Sequence, residues 1–148
     1  MKSLYDAEVY KGTMDRLERL TATSPRQWGT MDVSQMLAHC SQPMRVATGE
    51  VKGKQSFIGL IFGRIAKKAM LSDKPFKQGL PTDKKFLVPA EDFEVERERL
   101  KNYLKTFHDR GPEQAPKDAH PFFGKMNADE WGVLAYKHLD HHLRQFAV

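Results

Sequence analysis

Cysteine is the scarcest chemistry in this chain: Cys40 is the only one among 148 residues. A lone thiol has no internal partner, which excludes a disulfide-stapled secreted scaffold. Long apolar runs are missing too. The longest, Phe57 to Gly63, is cut at Arg64, well short of the roughly 20 residues of a membrane span. The opening segment MKSLYDAEVY lacks the apolar core of a signal peptide, so the chain is expected in the cytoplasm. There is no internal repeat and no low-complexity tract. Strand-like alternation is absent, apart from a weak hint from Lys85 to Val88.

What is present suits one domain spanning residues 1–148. With 40% hydrophobic residues, burial of about two-thirds of the unfolded surface is attainable without cross-links or an obligatory metal. The net charge of +5 permits weak attraction to nucleic acid or anionic surfaces without identifying either. The six histidines stand outside that count. Three of them, His138, His141 and His142, share one five-residue window, which a generic domain does not explain.

Helical periodicity accounts for most of the chain. Val9, Thr13, Leu17 and Leu20 recur on one face and predict a first helix over Tyr5–Leu20, slightly weakened by Gly12. Asp32 followed by Gln35 is a capping-box pattern, with Thr30 as the alternative cap. A second helix to about Ala47 follows, with Val33, Met36, Leu37, Cys40, Met44 and Ala47 as its core stripe and Pro43 expected to kink it. From Thr48 to Ala90, glycines and prolines mark a long crossover carrying a shorter helix from Phe57 to about Leu71. Its Phe/Ile face can be read as an interfacial membrane anchor, but the favoured expectation is packing over an open end of the core or a homodimer contact. The lysine-rich run Arg64, Lys67, Lys68, Lys74, Lys77, Lys84 and Lys85 has no nucleic-acid motif beside it and is read as a solvated crossover, with no specific nucleic-acid partner.

Another helix spans about Glu91–Asp109, with Phe93, Leu100, Tyr103, Leu104 and Phe107 on one face and Gly111-Pro112 as its stop. The proline-bearing stretch Gly111–Met126 is expected to be extended. Its His120-Pro121-Phe122-Phe123-Gly124 segment is expected to plug one end of the core. Asn127 with Glu130 opens a last helix to about Gln145. The fold class is all-α.

On that last helix, Trp131, Leu134, Ala135, Leu139 and Phe146 form an apolar face with His138 and His142 in its middle. Four residues apart, their imidazoles project from the same side and can converge on one cation. Two buried imidazoles need partners, and a divalent ion satisfies both at once. Hydrogen-bonded core histidines are the plain alternative. Zinc normally takes at least three protein ligands, so a third must come from elsewhere. His39 on the second helix is the leading candidate and Cys40 its rival, although a lone buried cysteine is ordinarily a small hydrophobe. His141 lies at the edge of the face. His108 is accounted for by its helix C-terminus, and His120 is left without a role.

The segment Trp28-Gly29-Thr30-Met31-Asp32-Val33-Ser34-Gln35-Met36-Leu37-Ala38-His39 resembles the second-helix signature of the DinB/YfiT-like superfamily of metal-dependent four-helix proteins. His138-Leu139-Asp140-His141-His142-Leu143-Arg144-Gln145 is similar to the C-terminal signature of that superfamily. His120-Pro121-Phe122-Phe123-Gly124 and Glu130-Trp131-Gly132 resemble one bacterial branch of it, a domain of unknown function. The resemblance implies a four-helix bundle with a long crossover between its second and third helices. It implies a divalent metal, nickel or zinc, held by His39, His138 and His142. It also implies a small-molecule substrate and thiol-dependent S-transferase or isomerase chemistry using a low-molecular-weight thiol. Asp140 and Gln145 are candidates for a supporting shell, although Asp140 reads equally well as an exposed helix charge. The expected function is that of a metal-dependent enzyme; the alternative is a non-catalytic metal-binding or interaction protein. A site is implied before a reaction.

Overall fold

A computed structural model of the protein describes residues 1–80, 82 and 86–148. Lys84, Lys85 and Pro81, and with Lys85 the start of the strand hint, lie outside the described residues. Among the described residues there are five α-helices and no strand: α1 (Ala7–Glu18), α2 (Val33–Ala47), α3 (Phe57–Met70), α4 (Phe93–Arg110) and α5 (Ala128–Gln145). α2 packs most extensively on α4 and less on α5, while α1 contacts both α4 and α5. The core between these four is closed by Leu17, Leu37, Leu100, Leu104, Leu139 and Leu143, all essentially inaccessible to solvent.

The two capping boxes form as their sequences require. Asp32 Oδ1 accepts from the Gln35 N–H at 2.8 Å while Gln35 Oε1 accepts from the Asp32 N–H at 2.9 Å. Asn127 and Glu130 make the same reciprocal pair at 2.8 and 2.9 Å. Each start therefore satisfies two backbone donors that a helix would otherwise leave unpaired. α2 runs unbroken through Pro43, which lacks the N–H that would bond the His39 carbonyl. The predicted kink does not end the helix.

α1 is shorter than its periodicity predicts: tertiary contacts claim the segment before it, and a tight local turn ends it. The Leu4 N–H bonds Gly132 O on α5 at 3.0 Å, and the Tyr5 ring stacks on Phe107 with centroids 4.5 Å apart. At the other end, Arg19 and Leu20 turn back to the carbonyls of Arg16 and Leu17 at 3.2 Å. The proline-bearing stretch is likewise not extended throughout. It opens with a 3-10 turn at Pro112–Gln114 and tightens at a backbone bridge between His120 and Gly124.

α3 departs most from expectation. It lies over the Pro121–Gly124 loop, but the edge it buries is Gly59 and Gly63, and its Phe/Ile side faces away from the protein. The close approach explains this: a Cβ on Gly59 or Gly63 would meet the Phe122 carbonyl oxygen at 2.5 or 2.2 Å. Only the glycine edge can sit there.

Candidate metal centre

Three imidazoles meet where α2 faces α5. His39 comes from the middle of α2 and His138 and His142 from consecutive turns of α5, as the four-residue spacing dictates. The ring centroids form a nearly equilateral triangle, 5.0 Å between His39 and His138, 4.7 Å between His39 and His142, and 4.8 Å between His138 and His142. One nitrogen from each ring lies within 4.8 Å of the other two. His39 and His142 are buried, and His138 is partly so.

The hydrogen bonds around the rings assign their tautomers. His39 Nδ1 lies 3.1 Å from the carbonyl oxygen of Phe86, which can only accept, so Nδ1 carries the proton and Nε2 is bare. For His142 the assignment runs through Gln145. The Trp28 carbonyl can only accept, so the NH2 of Gln145 faces it, at 2.8 Å. Oε1 then faces His142 Nδ1, at 2.9 Å, and that nitrogen must donate. His142 Nε2 is bare as well. Gly29, at φ 79°, provides the left-handed turn beside Trp28, and a Cβ there would strike Gln145 Nε2 at 2.5 Å. The turn and the amide are built against each other.

The His39 and His138 Nε2 atoms are 3.1 Å apart. Without a cation, His138 Nε2–H donates to His39. Around a tetrahedral ion with nitrogen bonds of 2.0–2.1 Å, two ligand nitrogens are about 3.3 Å apart. The spacing of the pair is therefore compatible with shared ligation once the proton leaves. Burial keeps the rings neutral, which is the form that ligates. It lowers the His39 pKa from its ordinary 6.5, takes His142 down to about 3, and pushes His138 well below its usual range with the neighbouring imidazoles adding to the effect.

The other candidates fall outside the triangle. Cys40 is sealed in the core with Sγ 3.7 Å from Met36 Sδ, and burial drives its thiol pKa upward, so it packs as a hydrophobe. His141 is half-buried between Trp28 and Phe76, at ring distances of 5.8 and 5.9 Å. Asp140 pairs with Arg16 at 2.7 Å, tying α5 to α1, and bonds no histidine of the centre. Of the two expected supporting residues, only Gln145 touches a ring of the triangle. His120 Nδ1 accepts from the N–H groups of Phe122 and Phe123, both at 3.1 Å, so its role is to shape the loop. His108 Nδ1 bonds Leu4 O at 3.1 Å and its ring stacks on Tyr10, a link to the N-terminal segment rather than a helix-end charge alone.

Sequence reading missed the Phe86 carbonyl, which comes from the crossover and is positioned by no local pattern. It also missed the pocket of about 240 Å³ that reaches His39 between Thr30, Met31, Gln35, Leu87 and Val88. The chain has no significant match among curated proteins or solved structures. A family model described as a protein of unknown function, DUF1569, matches residues 5–148 and so takes in every element of the centre. The chain belongs to that family.

Proposed function

We propose that His39, His138 and His142 hold a divalent cation, nickel or zinc, and that the chain is a metal-dependent enzyme of the DinB-like type. The reading takes α1, α2, α4 and α5 as a four-helix bundle, residues 1–148 as one domain, and the cytoplasm as its compartment. One observation carries it: two rings have Nδ1–H fixed by groups that only accept, so their bare Nε2 atoms are available inside a triangle of donor nitrogens. Pinning the outer nitrogen is how proteins orient metal-ligating histidines.

Held by His39, His138 and His142, a divalent ion would supply Lewis-acid chemistry, lowering the pKa of a water or thiol. The chain's own residues do the rest. Phe86 and Gln145 orient two ligands. The pocket at His39, with apolar Met31, Leu87 and Val88 beside Thr30 and Gln35, is smaller than a typical drug-sized site and suits a small-molecule substrate or a low-molecular-weight thiol. Thiol-dependent S-transfer or isomerisation is the reaction class we assign to it.

The histidine group contains no carboxylate, and Asp140 is engaged by Arg16, which favours a non-catalytic metal-binding role as the second reading. Elemental analysis after loading with zinc or nickel tests the site. One equivalent per chain is expected in the wild type and none in His138→Ala; unchanged metal content in that variant would sink the assignment. Turnover against a panel of thiols and electrophiles then separates the enzyme from the binder.

A further inference from the structure

We infer that α3 docks the protein on an anionic lipid surface. Its orientation is set by the glycine edge: Gly59 and Gly63 are buried against the Phe122 carbonyl, and no other side of the helix can approach so closely. On a wheel of 100° per residue, Phe57, Ile61, Arg64, Ile65 and Lys68 then lie opposite that edge. Phe57 is 76% exposed, Ile65 75%, Leu60 64%, Ile58 61%, Phe62 56% and Ile61 54%. Six large apolar side chains within nine residues of one helix form a contiguous patch, not the scattered exposure of an ordinary surface.

The charge around the patch identifies the occupant. α3 contains no acidic residue. Arg64 and Lys68 are exposed on its outer side, where their stems can lie along the apolar surface while their cationic ends reach phosphate. Lys67 points the other way, pairing with Glu130 at 2.9 Å and bonding the Lys125 carbonyl, which fastens the helix to the body. Residues 51–80 carry seven Lys or Arg against the single Asp73, a net of +6, whereas the rest of the chain carries seventeen basic and eighteen acidic side chains. The positive excess of the whole protein therefore falls in the segment that carries the patch.

An apolar helix face with cations beside it matches a headgroup region over acyl chains. At about 21 Å, the 14-residue helix is suited to lying in the interface rather than crossing it. A second copy meeting α3 face to face would bring Arg64 and Lys68 against their own counterparts, with no carboxylate on either helix. A nucleic acid would neutralise the cations but leave the Ile, Leu and Phe side chains in water.

Flotation of the full chain with phosphatidylcholine vesicles, with and without phosphatidylglycerol, tests the inference. Retention is expected on the phosphatidylglycerol vesicles only, declining as salt is raised. Ile61→Glu and Phe57→Glu should each abolish it. Arg64→Gln and Lys68→Gln should each lower partitioning about fivefold. All four side chains are exposed, so circular dichroism and Tm should match the wild type and separate lost docking from lost folding. The inference is overturned by failure to bind phosphatidylglycerol vesicles, or by binding that Ile61→Glu leaves intact. It is equally overturned if sedimentation shows a wild-type dimer that Ile61→Glu dissociates while neither form binds vesicles, which makes a second copy the occupant. Retention of duplex DNA, but not of vesicles, would make the occupant a nucleic acid.

Discussion

The side-chain amide of Gln145 joins His142 to the backbone of Trp28, with Oε1 2.9 Å from His142 Nδ1 and Nε2 2.8 Å from the Trp28 carbonyl. Three residues apart on α5, the two side chains sit on adjacent turns, and the bridge fixes which nitrogen of His142 faces the centre. Gln145→Leu keeps the volume and removes both bonds. The zinc Kd is expected to rise about 10–100-fold with the stoichiometry still at one. Titration against a competing chelator measures it, and an unchanged Kd would mean the bridge does not orient the ligand.

Binding to the folded state alone must stabilise it. With zinc or nickel at about 100 times its Kd, the gain is about 2.7 kcal/mol, which for a chain of this length raises Tm by about 5–10 °C. A chelator should reverse the shift. His39→Ala should show none, and an equal shift in that variant would point to adventitious surface binding.

Burial depresses the pKa of several histidines at once. His142 is lowered to about 3 and His120 to about 4, and His39 and His138 move in the same direction. The unfolded chain therefore binds more protons than the folded one below pH 6.5. Stability from these groups is fully present above about pH 6.5 and is lost as pH falls toward 3–4, at about 1.4 kcal/mol per pH unit for each imidazole. Urea midpoints of the metal-free protein should fall steadily from pH 7 to pH 5. A flat profile over that range would contradict the buried, neutral state of the rings.

Cys40 is adjacent in sequence to His39 yet packs into the core. Cys40→Ala is expected to leave metal stoichiometry unchanged and to cost about 1 kcal/mol of stability. The native thiol should also resist a bulky disulfide reagent until denaturant is added. Loss of metal from this variant would restore Cys40 as a ligand.

The helices and the pairing of His138 with His142 were legible because both depend on local spacing. Capping boxes at Asp32 and Asn127 act over three residues, and a four-residue interval puts two imidazoles on one side of α5 wherever the helix is packed. Glu96 was legible only in part. Three residues after Phe93 and four before Leu100, it shares the apolar face of α4, unlike the exposed Glu94 and Glu98. Periodicity does not show how a buried carboxylate is satisfied; in the structure it accepts from Arg99 at 2.7 Å and from the Glu91 N–H at 2.9 Å.

Sequence alone therefore determined an all-helical chain, the capped starts of α2 and α5, and two histidines on one side of α5, because hydrogen-bond capping and helical periodicity are properties of neighbouring residues. Only the tertiary structure decided between His39 and Cys40, whose side chains leave α2 about 100° apart and end in different surroundings. It alone brought the Phe86 carbonyl and the Gln145 amide to the rings, and it alone turned the apolar side of α3 outward. The physical reason in each case is contact between segments distant in the chain: one carbonyl from the crossover fixes a proton on His39, and one from the Phe122 loop admits glycine and nothing larger.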